Sequence, residues 1–282
     1  MPMLCVDENF MKEYLLNERV TADENAYLKD RCIKTGFKEI DERYGGLMRG
    51  ETYLVVGRPS MGRTSFAFNI WANLLKDKEN FYRTAVFSLE MSREQAVKHL
   101  ARIMGADFNG KVFNLSEKNK KILEEIASGF SCIDDTSGPS MEEIYRSCKT
   151  VEGDIDLIII DYAQLIRTEK GWSSFLNLGE TLENAKRIAM EFNCALILIG
   201  DFPKNVDNRI DHRPTLDDLL RVGVPIDKAD HIWAIYRDDF YYKESEEHGL
   251  AEIIALKPMA EVKTFKLAWL PEHCRFANIS NG

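Results

Sequence analysis

Short apolar runs alternate with longer amphipathic stretches along most of this chain. Runs rich in β-branched residues, such as Leu157–Ile160, are continuous rather than alternating. Continuous runs are typical of strands that are buried on both faces of a parallel sheet. The stretches between them carry apolar residues at helical spacing. The pattern predicts an α/β fold in which helices flank a mostly parallel central sheet.

The predicted strands are Thr52–Gly57, Thr84–Leu89, Ser131–Asp134, Asp156–Asp161, Ala195–Gly200, His231–Tyr236, Leu250–Lys257 and Lys263–Leu270. The predicted helices are Thr64–Lys76, Arg93–Met104, Glu117–Ser128, Met141–Thr150 and Leu178–Phe192. The last two strands follow each other without a helical stretch between them. This succession predicts that the sheet ends in a C-terminal antiparallel hairpin.

Residues 1–34 form a separate region in this prediction. They are rich in charge, with apolar residues such as Phe10, Tyr14 and Leu15 at helical spacing. We predict an N-terminal arm or linker helix over residues 1–34 and one α/β domain over residues 35–282. The arm is either a solvated helix or a helix that docks on a neighbouring subunit, and the sequence leaves both open.

Composition narrows the function classes. The net charge of −9 and the pI of about 5.2 argue against nonspecific coating of nucleic acid by a monomer, although a local basic ring in an assembly stays possible. The six cysteines include no C-x-x-C pair, which favours free, buried or half-buried thiols in a reducing compartment over disulfides or zinc. No signal peptide and no long apolar run is evident, so we expect a cytoplasmic protein without a membrane span.

The clearest chemistry lies where the first long strand gives way to a helix. The residues of this phosphate loop and of the helix start are Gly57, Arg58, Pro59, Ser60, Met61, Gly62, Arg63, Thr64 and Ser65. Their spacing is that of the P-loop G-x-x-x-x-G-K-[ST], with Arg63 in place of the lysine. The loop places backbone N–H groups and a helix N-terminus around one point, which anions favour. The alternative is a glycine turn that binds no ligand.

Three side chains extend this prediction. Thr64 is placed to hold Mg²⁺ through its hydroxyl. Glu90 and Asp161 each end a predicted strand, and if those strands flank the strand before the phosphate loop, both carboxylates point at the phosphates. Asp161 would then hold Mg²⁺ and Glu90 would accept a proton from the attacking water. The alternative for either residue is a helix cap or a solvated turn.

The chain resembles the C-terminal ATPase domain of the DnaB-type hexameric replicative helicases over about residues 35–278. The matching strings are Thr35-Gly36-Phe37, Asp41, Gly45-Gly46-Leu47, Arg58–Gly62, Ser88–Met91, Ile160–Tyr162, Gln164-Leu165, Arg213-Pro214, Ala229-Asp230 and Ile235–Asp238. The resemblance implies a RecA-like fold, ATP and Mg²⁺ as cofactors, ring assembly and movement on single-stranded DNA. It implies that Glu90 is the catalytic carboxylate, and it adds Arg237 to the nucleotide-binding residues. The family's N-terminal domain has no counterpart in the residues before the match.

Several positions depart from the family pattern. Arg63 replaces the P-loop lysine, and Asp201 replaces the glutamine that senses the γ-phosphate. The family's K-Q-R, whose arginine reaches the neighbouring subunit's nucleotide, reads Lys257-Pro258-Met259 here. We therefore predict that catalysis involving Glu90, Arg63 and Asp201 is weak or has been lost.

Single-stranded DNA is expected to bind weakly, through Lys204, Arg209, Arg221 and Gly223; ordinary surface charge is the alternative for these residues. The chain reads as a DnaB-like domain that acts in DNA replication with a degraded ATPase site. The alternatives are an active ATP-dependent DNA helicase and a non-catalytic protein that joins or blocks a helicase ring. A RecA-like recombination or signalling ATPase fits the strings less well.

Overall fold

A computed structural model describes residues 31–108, 116–129, 131–258 and 263–279. The strands are β1 Cys32–Ile33, β2 Leu47–Met48, β3 Thr52–Gly57, β4 Thr84–Ser88, β5 Ser131–Asp134, β6 Leu157–Asp161, β7 Arg167–Thr168, β8 Gly171–Trp172, β9 Ala195–Asp201, β10 His231–Tyr236, β11 Leu250–Lys257, β12 Lys263–Leu270 and β13 Arg275–Ala277. The helices are α1 Lys38–Tyr44, α2 Arg63–Lys76, α3 Arg93–Ile103, α4 Glu117–Ser128, α5 Met141–Lys149, α6 Leu178–Glu191, α7 Leu216–Arg221 and α8 Asp238–Tyr241. Short 3₁₀ turns span Ala163–Leu165, Lys204–Asn208, Ile226–Lys228 and Pro271–His273.

Nine of the described strands form one sheet, in the order β13-β12-β11-β10-β3-β9-β6-β4-β5. In that order the strands from β10 to β5 run parallel to one another, whereas β11, β12 and β13 pair antiparallel. The predicted fold class is confirmed, including the C-terminal hairpin. The residue pattern does not predict β13, which is too short to show a period, or the antiparallel pairing of β11 with β10.

The continuous apolar runs are explained by two cores, one on each face of the sheet. Along β6, Leu157 and Ile159 belong to the core that packs against α2, while Ile158 and Ile160 belong to the core that packs against α6. Successive side chains of a strand point to opposite faces, and here both faces are covered. A polar residue within β6 would therefore be buried on either side.

The sheet order corrects one condition in the sequence argument. The strands before Glu90 and Asp161 do not flank β3, because β3 lies between β9 and β10. Strand β6 is separated from β3 by β9, and β4 lies one strand further away. Any contact between Asp161 and the phosphate loop must therefore cross the end of β9.

Short elements account for most of the missed structure. Helix α1 ends at Gly45, whose φ of 75° is left-handed, and α7 begins with a capping box between Thr215 and Asp218. Both helices are too short to show a helical period in the sequence. Residues 1–30, which include most of the predicted arm and Cys5, lie outside the described residues. Cys32 and Ile33, at the end of that arm, are buried and pair with β2.

The remaining cysteines are free thiols, as predicted, but their exposure varies. Cys148 and Cys194 are buried, whereas Cys132 is exposed, contrary to the expectation of buried or half-buried thiols. Within the part of the chain that the structure describes, no helix is both long and apolar enough to cross a bilayer.

Polar contacts join the starts of β3 and β10 to helix α6. The Asp230 carboxylate accepts hydrogen bonds from the Thr52 N–H at 2.8 Å and from the Thr52 hydroxyl at 2.9 Å. The Lys186 ammonium donates to the same carboxylate at 2.9 Å and to the Gly50 carbonyl at 2.9 Å. Asp230 thus ties the starts of two neighbouring strands to a covering helix.

We expect Asp230→Ala to lower the free energy of unfolding by about 2–4 kcal/mol, because Thr52 and Lys186 lose a charged partner in a half-buried site. Urea denaturation measures the change. Asp227→Ala is the matched control, since the Asp227 side chain is 74% exposed, and it should change the value by less than about 0.5 kcal/mol. Equal effects of the two substitutions would contradict the role assigned to Asp230.

Candidate functional site

The phosphate loop begins directly after β3 and ends where α2 starts. Gly62 has a φ of 97°, and a Cβ placed on it would lie 2.8 Å from the Phe276 ring, so only glycine fits. Met61 is buried and anchors the loop. No described side chain caps the start of α2. The first N–H groups of this 14-residue helix are therefore available to an anion.

Thr64 and Asp161 meet at the start of α2. The Thr64 hydroxyl donates a hydrogen bond of 2.8 Å to the Asp161 carboxylate. Asp161 is only 2% exposed, and burial raises its pKa to about 6, with the charge of Glu90 adding to the effect. A buried carboxylate of this kind, paired with a hydroxyl rather than a cation, suits a hard divalent ion. Mg²⁺ prefers oxygen ligands and one or two carboxylates beside phosphates, so the donor set fits it.

Glu90 follows β4 and is exposed. A backbone hydrogen bond of 2.7 Å from the Leu89 N–H to the Asp161 carbonyl ties the ends of β4 and β6 together. Burial, and then the charges of Asp201, Glu90 and Asp161, raise the pKa of Tyr162. Asp201, Glu90 and Asp161 therefore all act on Tyr162, the residue that follows β6. The structure brings Thr64 and Asp161 together although β3 and β6 are not adjacent, and it places Glu90 just after β4, which pairs with β6.

Arg63 does not extend freely into the loop. Its Nη1 donates to the Gly200 carbonyl at 2.6 Å and to the Asp201 carboxylate at 2.5 Å. Its Cγ packs beside Gly57, where an added Cβ would come within 3.2 Å. The parallel register that pairs Gly57 with Asp201 puts acid and loop side by side. Arg63 and Asp201, two separate departures from the family pattern, thus form one ion pair.

Two further arginines border the loop. Arg58 binds Asp207 with both Nε and Nη2, at 3.0 and 2.7 Å, and Tyr241 donates to the same carboxylate at 2.8 Å. Arg237 donates to the Ser60 carbonyl at 3.3 Å and to Asp239 at 3.2 Å. Asp207 comes from a segment far from Arg58 along the chain, so no spacing in the sequence signals that pair, whereas Asp239 lies only two residues after Arg237.

The residues predicted to contact DNA occupy different environments. Lys204 and Arg221 are exposed, and so is Gly223, whose φ is 81°. Arg209 donates to Asp218 at 3.1 Å and to the Arg213 carbonyl at 2.5 Å, so it holds the loop before α7 to that helix.

At the end of β11, the Lys257 ammonium binds the backbone carbonyls of Ile226, Asp227 and Ala229. Lys257 is thus engaged within its own chain. Met259 lies outside the described residues, so the replacement of the family's finger arginine stays a statement about the sequence.

Comparison with known proteins bears directly on this site. A family model described as the DnaB-like helicase C terminal domain matches residues 32–278. The replicative DNA helicase DnaC of Bacillus subtilis (strain 168) is 33% identical over 259 residues, which cover 88% of this chain and 56% of that protein. The replicative DNA helicase DnaB of Geobacillus stearothermophilus is 32% identical over 264 residues, with coverages of 88% and 56%. The chain spans a little over half the length of these relatives.

Solved structures give the same assignment. One solved structure, of an isolated ATPase domain, superposes with a TM-score of 0.83 at 28% identity, covering 99% of this chain and 100% of that one. A DnaB-like replicative helicase, described with its interactions with primase, has a TM-score of 0.80 at 28% identity and covers 94% of this chain and 66% of that one. The RadB recombinase, at 15% identity and a TM-score of 0.56, shows the fold alone. The predicted RecA-like fold is confirmed.

His99 contacts the first turn of α2, and the sequence did not predict this contact. It lies on α3 with its Nε2 3.1 Å from the Ser65 hydroxyl, and its ring packs edge-on against Phe68. Burial lowers the pKa of His99 to about 4, and the charge of Arg102 adds to this. The folded protein therefore keeps His99 neutral where the unfolded chain would take up a proton.

Because the folded pKa lies below the unfolded value of about 6.5, stability falls as pH drops from about 6.5 to about 4. This contribution amounts to at most about 3 kcal/mol and is fully present above about pH 6.5. We expect His99→Gln to flatten the slope, as measured by urea unfolding at several pH values. His248→Gln, at a side chain that is 73% exposed, should not. Parallel pH profiles for wild type and His99→Gln would refute this account.

Proposed function

The chain belongs to the family of DnaB-like helicase C-terminal domains, and from this premise we propose that it is a nucleotide-binding domain acting in DNA replication. In this proposal ATP and Mg²⁺ bind at the phosphate loop, and hydrolysis is weak or absent. The observation that carries the proposal is the hydrogen bond of 2.8 Å between Thr64 and Asp161. It lies in the first turn of α2, whose N-terminus has no side-chain cap. It supports metal and phosphate binding.

ATP and Mg²⁺ would be bound by groups that match the P-loop pattern. The N–H groups of the loop and the first turn of α2 would receive the β-phosphate. Thr64 and Asp161 would hold Mg²⁺, which supplies neutralising charge at the phosphates when it is bound. Glu90 is exposed and makes no hydrogen bond among the described residues, so it can accept a proton from water.

We expect weak hydrolysis because the positive charges that would stabilise the transition state are paired or missing. Phosphoryl transfer needs positive charge that stabilises the transition state, but Arg63 is held by Asp201. An arginine finger contributes about 10³–10⁵ in rate, or roughly 4–7 kcal/mol of barrier. Met259 carries no charge at the position where the family resemblance places that arginine. The two features support low turnover independently of each other.

Two other functions remain candidates on specific observations. The exposed carboxylate of Glu90 favours an active ATP-dependent DNA helicase. The ion pair between Arg63 and Asp201 favours a non-catalytic protein that joins a replicative helicase ring or blocks it. Self-association into a ring is the corresponding proposal for the active form, in line with the family.

We expect Mg²⁺-dependent ATP binding with turnover far below that of a ring helicase. Thr64→Ala should weaken binding about tenfold or more in Mg²⁺ and much less in EDTA, because only the metal contact is lost. Thr150→Ala, on an exposed residue after α5, is the matched control. Calorimetric titration and phosphate release on the same sample measure the two properties.

The competing outcomes are distinct. A DNA-stimulated turnover of several per second that Glu90→Gln abolishes would establish the active helicase instead. Nucleotide binding that does not depend on Mg²⁺ or Thr64 would refute the proposed site.

Single-stranded DNA should bind weakly and mainly through exposed cations. Replacing both Lys204 and Arg221 by Gln should reduce the slope of log K against log salt by about 1.4, since each phosphate contact on a single strand contributes about 0.7. Fluorescence anisotropy over a salt series measures this slope. Lys38→Gln, at a side chain that is 74% exposed on α1, is the control. Tight binding that does not change with salt would rule out an electrostatic interface.

A further inference from the structure

Each arginine that borders the phosphate loop is paired with an aspartate of its own. The pairs are Arg58–Asp207 at 2.7 Å, Arg63–Asp201 at 2.5 Å and Arg237–Asp239 at 3.2 Å. We propose that this rim of paired charges makes the site selective for a nucleoside diphosphate over a nucleoside triphosphate. The inference rests on the nucleotide site proposed above and names the ligand class that this site prefers.

The Arg63–Asp201 pair is central because of where residue 63 lies. In a P-loop the basic residue at this position reaches the β- and γ-phosphates. Here its Nη1 is held by the Asp201 carboxylate and the Gly200 carbonyl, and its aliphatic part packs beside Gly57. A terminal phosphate that approaches Arg63 must therefore also approach Asp201. The like charge of the carboxylate opposes it.

The β-phosphate does not meet this obstacle. Its binding depends on the loop N–H groups and the open start of α2, which are uncharged donors independent of Arg63. The Thr64–Asp161 pair can hold Mg²⁺ on a diphosphate as well as on a triphosphate. The site thus keeps the contacts for two phosphates and opposes the third.

The neighbouring cations do not offset Asp201. Arg58 is bound by two nitrogens to Asp207, and Asp207 also accepts from Tyr241. The guanidinium of Arg237 lies 5.0 Å from the Trp269 ring centroid while it donates to Asp239. Glu90 and Asp161, which follow or end the paired strands β4 and β6, add two more carboxylates. A bound Mg²⁺ would balance these two, and Arg63 alone would then offset the charge of Asp201.

The test compares ADP with the β,γ-imido analogue of ATP by calorimetric titration in Mg²⁺. Wild type should bind ADP at least as tightly as the triphosphate analogue. Asp201→Asn removes the charge and keeps the shape, so it should tighten the triphosphate about fivefold, the gain expected in water when one like charge about 4 Å away is removed. ADP affinity should change less than about twofold, because ADP has no phosphate at that point.

Asp211→Asn is the matched control. It removes the same charge from a side chain that is 70% exposed and pairs with Arg213 at 3.6 Å, so both affinities should stay unchanged. If thermal unfolding shows that Asp201→Asn is misfolded, Asp201→Gln provides the same readout with a neutral amide.

The results distinguish failure of the diphosphate preference from failure of the proposed nucleotide-binding function. Wild-type preference for the triphosphate, with no gain in the Asp201 variants, would overturn the diphosphate inference and leave nucleotide binding intact. Absence of Mg²⁺-dependent binding of either nucleotide, in wild type and in both variants, would overturn the proposed function itself. A gain of triphosphate binding confined to the Asp201 variants would support the inference.

Discussion

The parallel pairing of β3 with β9 is the constraint on which the site depends. It aligns Gly57, the first residue of the phosphate loop, with Asp201, the last residue of the neighbouring strand. Because parallel strands end at the same edge, a loop that leaves β3 must pass beside whatever side chain ends β9. An acid at position 201 is therefore a direct neighbour of the cation at position 63. The chemistry of the pocket follows from that pair.

Two demands meet in this pocket. Holding Mg²⁺ requires oxygen ligands, and the buried Asp161 provides one with Thr64 beside it. Stabilising a terminal phosphate requires free positive charge, and the arginines around the loop already hold carboxylates. The chain offers side chains that fit the first demand, whereas its arginines are already paired. This contrast is the basis of our proposal that the site holds a nucleotide rather than cleaving it.

Polar contacts of His99 and Arg209 hold segments that adjoin the phosphate loop. His99 stays neutral behind Ser65 because burial disfavours its charged form. Arg209 closes the loop before α7 onto Asp218, which is only 4% exposed in its side chain. The Ser65–His99 contact joins α2 to α3, and the Arg209–Asp218 contact joins the segment after β9 to α7.

The residue pattern by itself determined the main strands and helices, the α/β fold class and the identity of the phosphate loop, and the family resemblance added the RecA-like fold. Continuous apolar strands and amphipathic helices signal burial on both faces of a sheet, and the loop is defined by local spacing. Short elements such as α1, α7 and β13 escaped because a few residues show no period. Strand order was decided only in the folded chain, and with it the route by which Asp161 reaches Thr64 across β9. The partners of Arg58 and Arg63 were decided there too, because charge pairing depends on distance in space, and no local pattern encodes the distance between remote segments.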